Sequence, residues 1–556
     1  MTLTKDSHVW MVGGGIATMS SAAFLIRDAG IPGEHIHFLE QLDVTGGSMD
    51  GARSPVPAEQ KLPAYVTRGG RMFEEEAYQC LWNLLDTIPS LEDPSRSVLA
   101  EFREFYPALP PHSRARIVNP DRTIADASEL GFRPRDRVAL LRLLALPERV
   151  IGARRITDFF DEEFFSSHFW TLWRTTFAFQ SWHSAIELKR YFLRFTQEFD
   201  RIDTLAGVRR SVYNQYDSVI RPIEAWLTDR GVDVRFGTRV EDVDFAGDTG
   251  SRRVTALHIR DANGPSVIEL GAGDHAIVTL GSMTADTDYA GDDTTTELIL
   301  DKRDASWTLW EKLARKFDDF GRPERFYGPV EETKWKSFTL TMHAPDLLDA
   351  IEQYTGNPPG EGNLMTWHRS SWLLSIVVPH QPHFRDQLAG TSTLWGYALF
   401  SDTPGDHTGK TIERSTGAEI LDELLGHLGF DERVNARTRE TTTVTHVQMP
   451  YIDAQFQPRE PGDRPPVVPP GAENFAFVGQ FVEIPEDVVF TVEYSAHAGM
   501  IAAYTLAGVD KPIPPIYHAL SDPAVAWRAM RTLLTDEAHG EDPTLAAAHD
   551  GPWINR

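Results

Sequence analysis

Val9-Trp10-Met11-Val12-Gly13-Gly14-Gly15-Ile16-Ala17-Thr18 decides the fold. Four largely apolar residues read as a short buried strand, the glycines as a sharp turn, and Ile16-Ala17 as the first turn of a helix. Gly13 and Gly15 allow the backbone to approach a pyrophosphate closely, and the helix N-terminus at Ile16 and Ala17 would hold its charge. Thr18 stands where the third glycine of this pattern usually sits. A second strand, Ile36-His37-Phe38-Leu39, ends in Glu40, at the distance where an acid meets a ribose hydroxyl. An ordinary strand-turn-helix can carry the glycines alone; the acid after the second strand makes a dinucleotide the better reading.

Gly46-Gly47-Ser48, soon after Glu40, is spaced as in FAD-binding chains more than NAD-binding ones, so the expected cofactor is FAD. Strand patterns return at Val232–Phe236, Val254–Ile259 and His275–Leu280, the last ending at Gly281-Ser282. Phe475-Ala476-Phe477-Val478-Gly479-Gln480 repeats the strand-into-glycine pattern before a helix near 491–506. The fold class expected is α/β: a Rossmann-like FAD-binding domain built from discontinuous segments, with a mixed α+β substrate domain and helical elements. The segments are 1–70, 231–300 and 440–510 for the cofactor domain. A mainly helical, aromatic-rich region at 71–230, a mixed region at 301–440 and a helical tail at 511–556 complete it. Residues 300–360 read as helical with aromatic interruptions, and 364–400 as strands.

At 556 residues, 41% of them hydrophobic, the chain is long enough for two or three globular domains. A formal charge of −27 argues against nucleic acid as a partner and against electrostatic attachment to an anionic membrane. Cys80 is the single cysteine, which excludes an intrachain disulfide and a cysteine metal cluster. No basic leader followed by an apolar run opens the chain and no stretch approaches a membrane span, so a cytoplasmic enzyme is expected. No cluster of His, Asp and Glu at ligand spacing stands out, so no catalytic metal is expected.

Between residues 159 and 199 lie fourteen Phe, Trp or Tyr residues. Most such rings form core, but together they suit the walls of a long apolar pocket and a lipid-like substrate. Several further stretches, in this order and spacing, carry a resemblance: Gly69-Gly70-Arg71, Cys80-Leu81-Trp82, Thr176 through Ala185, Lys189-Arg190-Tyr191, Tyr213-Asn214-Gln215-Tyr216, Gln381-Pro382-His383-Phe384 and Gly479 through Glu483. From about residue 8 to 510 the chain resembles the oleate hydratases, a flavin-containing fatty-acid hydratase family once labelled myosin-cross-reactive antigens. The resemblance implies addition of water across the cis-9 double bond of oleic acid, giving 10-hydroxystearic acid. It also implies an FAD that shapes the site without net redox change. Family members usually carry an additional segment before the first strand; without it, a monomer is favoured over a homodimer.

Protonating an isolated alkene needs a placed acid, a held water and stabilisation of the developing cation. The resemblance implies Tyr191 as proton donor, Gln215 and His383 as contacts to the fatty-acid carboxylate, and Phe179 and Trp182 in the pocket wall. Two departures stand out. Met72 occupies the position where the family usually places the glutamate that handles the attacking water, and methionine accepts no proton. Glu74 matches an additional family acid, and on a helix it would point about 200° from residue 72, whereas Glu75 and Glu76 face nearer to it. The expectation is a water positioned by backbone and neutral polar groups, with hydration at reduced rate. The second departure is Val377 and Pro379, where the family tends to have threonine and asparagine donors; His380 and Gln381 are candidate substitutes. Expected cofactor contacts are Gly13, Gly15, Ile16, Ala17, Glu40, Gly47, Ser48, Arg68, Gly70, Arg71, Ser282, Phe481 and Glu483. The helix around Ala526–Leu534 is expected to cap the substrate domain, with a weak peripheral membrane contact as the other use. The competing readings are an FAD-dependent oxidoreductase of the amine oxidase or desaturase type, and a fatty-acid-binding relative that has lost catalysis.

Overall fold

In the computed structural model, which describes residues 3–49, 51–56, 63–70 and 72–538, the quoted stretch forms the central strand of a five-stranded parallel sheet. The strand order is Phe475–Val478, His275–Thr279, Val9–Val12, Ile36–Leu39, Asp233–Arg235. The strands are short, and all but the part-exposed edge strand Asp233–Arg235 are mostly buried, because helices cover both faces as parallel sheets require. The helix after the first strand spans Ile16–Ala29 and stops at Gly30, whose φ of 67° suits a left-handed cap. It packs on helix Val492–Ala507, where a Cβ on Gly499 would come within 2.6 Å of the Ala17 carbonyl oxygen. Thr18, in place of the third glycine, donates its hydroxyl to the Gly13 carbonyl at 2.6 Å and so ties the glycine turn to the helix.

A three-stranded antiparallel meander, Arg239–Asp248, Ser251–Asp261 and Gly264–Glu269, lies between the fifth and second strands of that order in the chain. The second large sheet has seven strands, in the order Asp288–Ala290, Thr442–Met449, Trp335–Met342, Ser392–Ala398, Leu374–Val378, Asn363–Trp367, Ile117–Val118. It is antiparallel except for the last pair. One face buries Phe338, Leu340, Ile376, Leu394 and Ala398 among apolar side chains of helices Asp346–Thr355 and Gly417–Leu428. The strands Asp288–Ala290 and Thr442–Met449 fall inside segments expected to serve the cofactor domain, yet pair here. Trp335–Met342 falls inside a stretch expected to be helical. All eight of its residues are buried, its Thr339 and Thr341 hydroxyls accepting from the backbone N–H groups of Thr67 and Tyr65.

Residues 73–226 are mainly helical. The helix Pro523–Thr535 turns Val525, Ala529 and Thr532 inward and leaves Trp527, Met530 and Leu534 exposed. No helix among the described residues is long and apolar enough to cross a membrane.

Candidate active site and nucleotide cleft

A cleft of about 1040 Å³ opens at the C-terminal ends of the parallel strands, lined by Gly13, Gly15, Ile16, Ala17, Glu40, Gly47, Ser48, Arg68, Ser282 and Phe481 among others. This is where doubly wound sheets bind nucleotides, between strands whose connections run in opposite directions. The chemistry of the lining suits FAD. Gly15 caps the helix without a side chain, and a Cβ there would meet nothing within 4 Å, so the first-turn N–H groups face open space. The Thr279 and Ser306 hydroxyls, both in the lining, are buried without a protein partner.

Glu40 accepts from the N–H groups of Gly14 at 2.6 Å and Leu42 at 2.8 Å. Burial pushes its carboxyl above the ordinary glutamate value despite these two donors. Its first job is therefore to hold the glycine turn. Arg68 ties the cleft wall together, donating to the carbonyls of Gly47 at 2.7 Å and Thr284 at 3.1 Å.

Arg68 also lines a second cavity, of about 1170 Å³. Leu364, Val377 and Trp395, in register across three neighbouring strands of the seven-stranded sheet, form one wall with Tyr397. Facing them are Thr175, Thr176 and Ala178 at the end of helix His168–Phe177, the segment Thr67–Gly70 with Met72, and the loop from Arg210 to Gln215. That loop leads into a π-helical turn at Tyr216–Ile220, a local widening often found beside functional sites. Among the described residues lining this cavity none is Asp or Glu. Met72, Gln215, His383 and Gly70 all face it, so Gly70 belongs to this cavity and not to the nucleotide cleft.

Gln215 commits its amide nitrogen to the Gly69 carbonyl at 2.9 Å and the Thr67 hydroxyl at 3.3 Å. Burial lowers the His383 imidazole to about 3, so it is neutral near pH 7. His380 lines the cavity; Gln381 does not, and is bonded instead to the carbonyls of Pro379 and Thr393.

Other expected site residues lie elsewhere. Tyr191 is one layer behind the cavity wall, its hydroxyl donating to the Val489 carbonyl at 2.7 Å. Its ring packs edge-on against Phe177 and Phe179, and burial pushes the phenol well above its ordinary range. Phe456, 5.7 Å from the Tyr191 ring centroid and 5.4 Å from that of Phe490, links the tyrosine to a cavity-lining ring. Phe490 itself has a φ of 69°, a backbone conformation that a bulky residue rarely adopts. Phe179 is core, its ring tilted against that of Phe456 at 4.5 Å, and Trp182 donates its indole N–H to the Glu332 carbonyl at 3.0 Å.

Glu74 is buried outside the cavity, accepting from the N–H groups of Glu76 and Ala77 and from Gln197. Burial, with Glu76 and Glu198 nearby, holds its carboxyl well above the usual range. Glu75 pairs with Arg103 at 3.0 Å, and neither it nor Glu76 lines the cavity, so no neighbour in sequence replaces the glutamate that Met72 displaces. Glu483 was expected at the cofactor but its carboxylate is held by Arg190 at 2.8 Å and Arg459 at 3.0 Å. Arg71 lies outside the described residues. Asp406, Glu423 and His427 do converge, with ligand atoms within 4.8 Å of one another, although sequence spacing gave no sign of it. Glu423 already accepts from the N–H groups of Asp406, His407 and Thr408, which makes the group a staple between loop and helix.

Sequence reasoning passed over Arg210 and Tyr397. Arg210 lies three residues before the Tyr213–Tyr216 stretch that carries part of the resemblance, which is the one signal that could have raised it.

The model of the family described as the MCRA family matches residues 6–504. Oleate hydratase of Streptococcus pyogenes serotype M49 (strain NZ131) is 36% identical over 526 residues, covering 93% of this chain and 88% of that protein. Linoleate hydratase of Lactiplantibacillus plantarum is 33% identical over 537 residues, covering 90% and 94%. Among solved structures, an oxidoreductase from Methanosarcina mazei aligns with a TM-score of 0.50 at 12% identity, covering 89% of this chain and 99% of that one. At that identity the likeness speaks for the Rossmann-like fold alone.

Proposed function

Because the chain belongs to the MCRA family, we propose that it is a fatty-acid hydratase, adding water to the cis-9 double bond of oleic acid to give 10-hydroxystearic acid. The observation that carries this reading is the large cavity with no carboxylate in its described lining, joined at Arg68 to a cleft suited to FAD. Its walls of Trp, Leu, Val and Tyr suit an acyl chain and exclude bulk water. FAD, when bound, supplies shape and polar surface beside that cavity; hydration leaves the oxidation state of the substrate pair unchanged.

One C–H and one C–O bond form as the alkene π bond and one O–H bond of water are lost. Tyr191 delivers the proton in this reading, and the proton that the attacking water gives up returns to the Tyr191 phenolate, which restores the acid. The water is held by neutral groups at the lining in place of a carboxylate at Met72; the Thr175 and Tyr397 hydroxyls, whose protons go to the Thr171 and Thr175 carbonyls, offer it lone pairs. With no carboxylate to take that proton from the water first, a slower hydratase is expected. The exposed row Trp527, Met530 and Leu534 supports a weak peripheral contact with a membrane surface.

The test is incubation of the flavin-loaded chain with oleic acid in H₂¹⁸O, followed by mass spectrometry, beside Tyr191→Phe. A product heavier by one labelled water, absent in the variant, is expected. An oxidised product would make the chain an oxidoreductase, and binding of oleate without product would make it a carrier.

A further inference from the structure

We propose that Arg210 is the counter-ion for the substrate's carboxylate, forming with His380 a head-group clamp at one end of the acyl cavity. This rests on the fatty-acid reading above and adds the residues that select an acid over an uncharged lipid. Val377 and Pro379, both in the lining, present no side-chain donor. The Gln215 amide nitrogen is spent on Gly69 and Thr67, and neutral His383 offers a single N–H and no charge. A carboxylate brought into this apolar space would therefore lack compensation unless a cation meets it.

Arg210 is that cation. Its one protein hydrogen bond among the described residues runs from Nη1 to the Gly360 carbonyl at 2.8 Å, and no described carboxylate pairs with it. Desolvation lowers its guanidinium to about 9, and it is part-exposed and lines the cavity. A guanidinium desolvated without a partner charge is costly, and a ligand carboxylate entering the cavity would relieve that cost. Arg68, the other arginine of the lining, spends both terminal nitrogens on Gly47, Thr284 and Thr287 at the cleft junction.

The surroundings hold Arg210 in place. Gly360, at a φ of 90°, approaches so closely that a Cβ there would fall 2.7 Å from Leu109 and 3.0 Å from the His380 Cα. His380 brings a buried Nδ1 with no protein partner and stacks edge-on with Phe105 at 5.1 Å. Arg210 and His380 thus both line the cavity and both adjoin Gly360, and the planar fork of arginine matches a carboxylate in two-point contact.

The experiment measures binding of oleic acid and of oleyl alcohol to the flavin-loaded full chain and to Arg210→Gln and Arg210→Lys, by calorimetry, with KM and kcat alongside. Loss of a charge-assisted contact predicts oleate affinity lower by about 10- to 100-fold in Arg210→Gln. Affinity for oleyl alcohol should change less than about twofold, and Arg210→Lys should keep part of the preference for the acid. A parallel fall for both lipids would make Arg210 a structural residue and overturn the inference, as would an unchanged preference. If the native chain binds and hydrates oleate while Arg210→Gln discriminates as it does, the clamp alone fails. If the native chain binds no oleate, the hydratase reading fails and the clamp with it.

Discussion

Glu187→Gln should cost the protein about 3–5 kcal/mol, the penalty for removing one partner from a buried ion pair. Glu187 lies on helix Ala185–Arg194, fully buried, and accepts from Arg459 Nε at 3.0 Å and Arg464 Nη1 at 3.1 Å. Arg190 on the same helix joins the group through Glu148 and Glu483, both at 2.8 Å. The cluster thus sets Glu148, Glu187 and Glu483 against Arg190, Arg459 and Arg464. Glutamine keeps the shape but leaves Arg464 without a carboxylate, a guanidinium with no exposed surface.

Against a net stability of about 5–15 kcal/mol, such a loss should bring much of the chain near its unfolding midpoint. Urea titration read by tryptophan fluorescence measures it at pH 7. The double variant Glu187→Gln/Arg464→Gln should recover part of the loss, because exchanging both partners removes the stranded charge. Burial alone would raise the Glu187 carboxyl, but Arg464, Arg459 and Arg190 hold it below its ordinary value. A carboxyl lowered on folding contributes stability above its unfolded value of about 4.3, and that contribution fades as pH falls through the folded value. The gap between native and variant should therefore be full at pH 7 and close in acid. A loss under about 1 kcal/mol at pH 7, or a double variant worse than the single, would refute the reasoning.

Gly13→Ala forces a side chain onto a residue at φ 89°, with its Cβ 3.2 Å from the Thr279 hydroxyl. We expect a strain of about 1–3 kcal/mol to appear as flavin lost on dialysis, read from the 450 nm absorbance, with the fold retained by circular dichroism. Gly396→Ala would drive a Cβ to within 2.3 Å of the Phe338 ring across the strand pair. It should destabilise the seven-stranded sheet by about 1–3 kcal/mol, lowering the urea midpoint without touching flavin binding. Met72→Glu installs a carboxylate in a cavity whose described lining has none. If water there awaits a base, kcat should rise by about 10²-fold, with a new limb rising with pH in the rate profile.

The nucleotide sheet was readable because each signal was local. A glycine at φ 89°, an acid closing the second strand and a helix ending at Gly30 each mark their own position. Trp335–Met342 was hidden for the opposite reason. Phe338, Leu340 and Met342 alternate as a strand should, but Lys336 interrupts their row and Ser337, Thr339 and Thr341 suggest a wet second face. That face is buried too, since the segment Ala64–Gly70 bonds its threonines, and only tertiary contact could reveal it. At the site, Met72 and Gln215 reached the cavity through short motifs. The place of Tyr191 behind Phe456 depends on packing between segments far apart in sequence. Arg210 was silent because an arginine in a loop ordinarily points to solvent, and only the cavity it lines changes its meaning.

The order of strands in the nucleotide sheet also governs how the chain is made. His275–Thr279 pairs on one side with Val9–Val12, but its other neighbour is Phe475–Val478, nearly two hundred residues later. At ribosomal speeds of about 5–20 residues per second, that edge waits roughly 10–40 s for its partner. Throughout the wait an apolar strand edge, Ala276-Ile277-Val278, is open to any other extended chain. The nascent protein therefore passes through a long interval in which it is a client for chaperones, and its yield in the cell should follow their supply more closely than the stability of the finished fold.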